Sequence, residues 1–84
     1  MTETKQILPK WFKGEVYQHG DIVENRFGGD SIKLNAIELS MYDFIIGASM
    51  LIEMGMAPSS VGDLRKGLSW FRKNNAEAYM ILLD

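Results

Sequence analysis

The stretch Ser40–Gly55, SMYDFIIGASMLIEMG, decides how the rest of the chain must be arranged. Between Met41 and Met54 only Asp43, Ser49 and Glu53 are plainly polar. At the helical period of about 100° per residue, Asp43, Gly47 and Met50 follow one line, with Glu53 and Met54 beneath it. Nearly every other direction carries Tyr, Phe, Ile, Leu, Met or Ala. A helix apolar over most of its circumference is either covered on all sides within its own fold or shared with a second subunit. Ser40 is a good N-cap, and Asp43 three residues later resembles capping-box spacing and favours the positive end of the helix. Gly55 can take the left-handed stop, and Pro58 prevents continuation.

Downstream, Ser59 or Ser60 is expected to cap a second helix with Asp63 in its first turn. Val61, Leu64, Leu68, Phe71, Asn75, Ala78 and Leu82 recur at three- and four-residue steps, one stripe of an amphipathic helix. The pair Asn74-Asn75 can divide it into Ser60–Lys73 and Ala76–Leu83. The ending Met80-Ile81-Leu82-Leu83 is too apolar for a frayed tail and is expected to dock on the first helix, the sheet or a second subunit. Upstream, residues 1–6 are polar and expected to fray. Ile7–Phe12 is extended around Pro9 and should pack on something. Gly14–Tyr17, Ile22–Phe27 and Ser31–Leu34 are β-prone runs separated by turns at Gln18–Asp21 and Gly28–Asp30. In the middle run Val23, Asn25 and Phe27 share one face and Ile22, Glu24 and Arg26 the other, which suits an antiparallel sheet with one face solvated.

The expected fold is therefore α+β: an N-terminal antiparallel β-hairpin or three-stranded meander packed on two C-terminal α-helices, the second divisible near Asn74. One domain accounts for the 84 residues, with 7–35 β-rich and 36–84 helical. The expected core is Val16, Val23, Phe27, Ile32, Leu34, Phe44, Ile45, Ala48, Leu51, Ile52, Leu64, Leu68, Phe71, Tyr79 and Leu82.

Composition narrows the function. Nine basic against eleven acidic residues leave a net charge of −2, a poor start for non-specific nucleic-acid binding or for attraction to an anionic membrane. The absence of cysteine excludes disulfides and thiolate metal sites and suits a reducing cytoplasm. MTETKQILPKW has no basic segment followed by an apolar one, so no signal peptide is expected, and the longest uncharged apolar run, Phe44–Ile52, is too short to cross a bilayer. A small chain without staples gains buried area cheaply by self-association. Six methionines, four of them between Met41 and Met56, add adaptable apolar surface, although methionine serves more often as core filler. The expected interface is Met41, Tyr42, Ile46, Met50, Met54 and Met80, most simply in a homodimer.

No constellation in the sequence demands catalysis or a cofactor, so none is expected. His19 lies in a polar turn, Gln-His-Gly-Asp, and Gly28-Gly29-Asp30 lies between strands with no following helix N-terminus to hold a phosphate. Asp43, among apolar residues, is the one carboxylate whose burial would matter, but an N-terminal helix carboxylate satisfied by backbone N–H groups explains it more simply. A second functional reading uses the second helix: Arg65, Lys66, Trp70, Arg72 and Lys73 form a basic flank with one aromatic, since Phe71 belongs to the apolar stripe. A solvated helix flank accounts for the same residues more economically.

Pro9–Gly14 (PKWFKG), Glu38–Ile45 (ELSMYDFI), Trp70–Arg72 (WFR) and Asn75–Met80 (NAEAYM) together resemble small uncharacterised proteins encoded by marine cyanobacterial viruses (cyanophages), over most of the chain. The resemblance implies expression in an infected bacterial cytoplasm and carries over no activity and no site residues. Gly14–Phe27 also resembles the opening of small SH3-like barrels, but too few strands follow to complete one. The function expected is a non-enzymatic protein–protein interaction module that self-associates, a viral accessory protein acting on a host or viral complex. The alternative is a weak nucleic-acid-binding accessory protein.

Overall fold

The computed structural model describes residues 6–55 and 60–83. The elements run β1 (Asp21–Glu24), β2 (Ser31–Leu34), α1 (Ala36–Glu53), α2 (Ser60–Asn74) and α3 (Ala76–Leu82). The class is α+β, with a two-stranded antiparallel hairpin and three helices. Gly14–Tyr17 does not form a strand. Its backbone is committed elsewhere: the Tyr17 N–H donates to the Ser40 hydroxyl at 2.9 Å, and that hydroxyl donates to the Ala36 carbonyl at 2.7 Å.

β1 and β2 pair with Val23 opposite Ile32 and Asp21 opposite Leu34. Val23, Ile32 and the fully buried Leu34 therefore share the inner face, while Ile22, Glu24 and Lys33 point outward, the alternation of a sheet with one wet face. The strand ends at Glu24, before Phe27. Asn25 closes the turn instead: its side-chain oxygen accepts from the N–H groups of Phe27 and Gly28, and its own N–H donates to the Asp30 carbonyl. Phe27 is thus released from the period-2 pattern and stands 90% exposed at the hairpin tip rather than in the core. The Asn25 amide also donates to the Ile81 carbonyl, tying the hairpin to α3.

α1 begins at Ala36, five residues earlier than the expected start at Met41. Asn35 is its N-cap and Glu38 completes a capping box, each side chain accepting from the other's backbone N–H. Ser40 lies inside the helix, fully buried. At the other end the helix stops at Met54, and Gly55 takes φ 71°, the left-handed turn expected of it. Pro58 and Ser59 lie outside the described residues. The second helical stripe is divided by Asn75, whose φ of −153° leaves the helix and whose side chain caps α3 by accepting from the Ala78 N–H.

α1 packs chiefly on α2, α3 packs on α2 and β2, and β2 reaches α1. The core holds Leu34, Met41, Tyr42, Ile45, Phe71, Ala78 and Leu82, with Tyr42 and Phe71 ring centroids 6.4 Å apart. Gly67 permits the α1–α2 crossing, since a Cβ there would come within 2.8 Å of Ile45. Val16 and Leu51, expected inside, are exposed. The segment before β1 lies across α1: Phe12 and Trp11 pack on Phe44, with ring centroids 5.2 and 6.0 Å away. Of the N-terminal residues expected to fray, only Gln6 is described, and it is anchored: its amide donates to Glu38 and to the Asn74 carbonyl. Leu82 is buried and Ile81 and Leu83 are half-buried, so the apolar ending docks on the body of the chain.

Candidate functional site

Three polar or exposed features stand out. The first is a carboxylate clasp. Glu38, 6% exposed, accepts from the Asn35 N–H (3.0 Å), the Gln6 amide (2.8 Å) and the Asn75 amide (3.0 Å). It joins the N-terminal segment, the start of α1 and the start of α3. Its hydrogen-bonding capacity is used by the chain itself, which makes it a structural joint.

The second is the outer stripe of α1. Gly47, Met50, Leu51 and Met54 are all exposed, and with Phe44, Ala48 and Asp63 they line an apolar hollow of about 450 Å³. Among the described residues nothing from outside its own helical turn lies within 4 Å of where a Gly47 Cβ would be. Asp43, on the same line of the helix, is exposed and is not a buried carboxylate. The interface expected from sequence divides accordingly. Met41 and Tyr42 are core residues, 0% and 8% exposed, because Tyr42 packs on the Phe71 ring and Met41 lies against Gly67 at the α1–α2 crossing; neither is available to a partner. Ile46 is half-buried on another flank, in a groove with Leu64, Leu68 and Phe27. Met80 is exposed, but on α3, away from the α1 stripe. Met50 and Met54 remain, and Gly47 and Leu51 join them.

The third is the outer face of α2. Arg65, Leu68, Ser69, Arg72 and Tyr79 line one open depression of about 210 Å³, and Pro9, Trp11, Arg65, Lys66, Ser69 and Trp70 line another of about 420 Å³. The two share Arg65 and Ser69. Lys66 Nζ lies 5.8 Å from the Trp11 ring centroid, within cation–π range, and the Trp70 indole N–H donates to the Ile7 carbonyl at 3.2 Å. Lys73 is exposed and lines neither depression. Trp11 is the residue that helical periodicity could not supply: it reaches this face from 59 positions earlier in the chain than Trp70, and the only signal for it was an apolar segment, Ile7–Phe12, that had to pack on something.

His19 sits exposed before β1. Among the described residues no three His, Cys, Asp or Glu side chains come together as a metal site, and no helix is long and apolar enough to cross a membrane. No family model matches the chain, and neither a curated protein nor a solved structure matches it.

Proposed function

We propose that the chain is a non-enzymatic protein–protein interaction module that self-associates, two copies meeting across α1 at Gly47. On the resemblance to cyanophage proteins, its role is that of a viral accessory protein acting on a host or viral complex in the cytoplasm of the infected cell. The observation that carries self-association is Gly47. An exposed glycine in the middle of an 18-residue helix costs roughly 0.5–1 kcal/mol relative to alanine, and no contact among the described residues requires it. Its neighbours on the stripe, Met50, Leu51 and Met54, are 48%, 39% and 62% exposed. A small residue flanked by exposed flexible apolar ones is suited to close approach of a second helix. Their exposed area is on the order of a few hundred Å² per copy, less than the roughly 800 Å² per partner of a standard interface. The stripe thus forms the centre of a weak dimer that exchanges readily with monomer.

Sedimentation equilibrium tests this directly. The wild type is expected to dimerise in the micromolar range, and Met50→Glu/Met54→Glu to be monomeric with an unchanged far-UV spectrum. A wild-type chain that stays monomeric into the high micromolar range would exclude self-association. Crosslinking in infected cells addresses the wider role: a defined complex that disappears with the double variant supports it, and no complex removes it.

A further inference from the structure

We propose that the outer face of α2, completed by Trp11, binds single-stranded nucleic acid, with bases on the two indoles and phosphates on Arg65, Lys66 and Arg72. Both tryptophans of the chain line this one face. Each is only half-buried, and Lys66, whose ammonium lies 5.8 Å from the Trp11 ring centroid, gives up that contact to a phosphate as a base stacks on the indole. Every charged residue lining the two depressions is a cation, and no carboxylate among the described residues lines either. The net charge of −2 is therefore not spread evenly: this face is locally positive on an acidic chain. The depressions are open and lie side by side, with Arg65 and Ser69 lining both, which suits a strand laid across them.

The combination selects the ligand. Aromatic faces beside a basic track are how strands with unstacked bases are held without sequence preference, whereas duplex bases are stacked on each other and offer no face to an indole. An acidic peptide would satisfy the cations but leave the indoles without stacking partners. The surface shares no lining residue with the α1 stripe, so nucleic-acid binding and self-association are separable.

Intrinsic tryptophan fluorescence reports on this face alone, because both tryptophans lie in it. Titration of the full chain with an oligothymidylate at low salt is expected to quench it. Three phosphate contacts predict a slope of log K against log salt of about −2, roughly a twentyfold loss of affinity between about 50 and 200 mM. Arg65→Gln/Arg72→Gln, two exposed positions whose change leaves packing intact, should flatten the slope to about −0.7. Trp11→Ala should weaken binding about five- to a hundredfold; should that variant fail to fold, the arginine pair still decides. No quenching at low salt overturns the proposal. So does a duplex or a polyglutamate peptide that binds as tightly as the oligothymidylate, or a slope unchanged by the arginine pair.

Discussion

Replacing Glu38 by alanine should be among the most damaging single changes to this fold. The carboxylate accepts three hydrogen bonds, from the Asn35 N–H, the Gln6 amide and the Asn75 amide, in a setting only 6% exposed. Hydrogen bonds to a charged acceptor contribute about 1.5–3 kcal/mol each, but they are not additive. Asn35 is exposed and Gln6 half-buried, so water can replace part of what those two donors lose. The expected cost is about 2–4 kcal/mol, from that range reduced for solvent access. A domain of this length has a total stability of roughly 4–12 kcal/mol, so at least about a sixth of it rests on one side chain. The midpoint of thermal unfolding should fall by about 10 °C or more, and urea unfolding followed by circular dichroism gives the free energy directly. Glu38→Gln keeps the shape but must turn its NH₂ toward at least one of the same donors, and should cost about 1–2 kcal/mol. Asn75→Asp separates the clasp from the cap: aspartate caps α3 as well as asparagine does, yet places a second carboxylate against Glu38. It should destabilise at least as much as Glu38→Gln. A loss below about 1 kcal/mol for Glu38→Ala, on the scale of one ordinary hydrogen bond, would refute the clasp as the joint between the three segments.

The glycines offer a contrast measurable on the same denaturation curves. Gly20→Ala would drive a Cβ into the Leu34 carbonyl oxygen and should displace the start of β1, and Gly67→Ala, 2.8 Å from Ile45, should cost about 1–3 kcal/mol by overpacking the helix crossing. Gly47→Ala meets none of the described residues and should stabilise the monomer by roughly 0.5–1 kcal/mol, and a loss there would contradict its open surroundings. Deleting Met80–Asp84 removes the buried Leu82 and the Ile81 carbonyl that receives the Asn25 amide, for a cost of about 2–4 kcal/mol; unchanged thermal stability would make the ending a mere tail. Burial raises the Tyr42 phenol above the ordinary 10.0, with Arg26 pulling weakly the other way. The folded state therefore favours the neutral form: that stabilisation is complete below pH 10 and disappears as pH rises through the raised value. Alkaline absorbance titration should show late tyrosine ionisation, to which Tyr17 also contributes, and Tyr42→Phe should reduce its amplitude.

The start of α1 shows what local reading can and cannot decide. Ser40 with Asp43 and Asn35 with Glu38 both offer a capping residue followed by a carboxylate at the right interval. Propensity does not separate them. What selects Asn35 is distant in sequence: Gln6 and Asn75 bring donors to Glu38, and the Tyr17 N–H claims the Ser40 hydroxyl, which is then better used inside the helix than at its end. The interface prediction loses Met41 and Tyr42, which pack inward where α2 crosses α1, and keeps Met50 and Met54. By contrast, the hairpin, the stop at Gly55 and the break after Asn74 were legible because each depends on neighbours within a few positions: turn residues, a positive φ, and an asparagine able to cap. Phe27 failed for the same reason inverted. Alternation was extended past the point where Asn25 had already closed the turn.

The candidate surfaces divide along that line too. The cations of α2 lie on one helix, and periodicity alone grouped Arg65 with Ser69 and Arg72, the side on which one of the depressions opens. Helical spacing could offer only Trp70 as an exposed aromatic, and a single indole beside four cations is ordinary helix surface. Trp11 changes the chemistry of that face, yet it comes from a segment with no regular structure, held by Phe44 beneath it and by the bond from Trp70 to the Ile7 carbonyl. Gly47 is the opposite case. Its position on the helix was plain from sequence, but whether its missing side chain makes room for a neighbour in the same chain depends on what stands opposite. Gly67 faces Ile45 and is explained by the fold; Gly47 faces none of the described residues and is not. Among the described residues no packing offsets the stability cost of a glycine at this mid-helix position, and that cost is the ground on which self-association is proposed there.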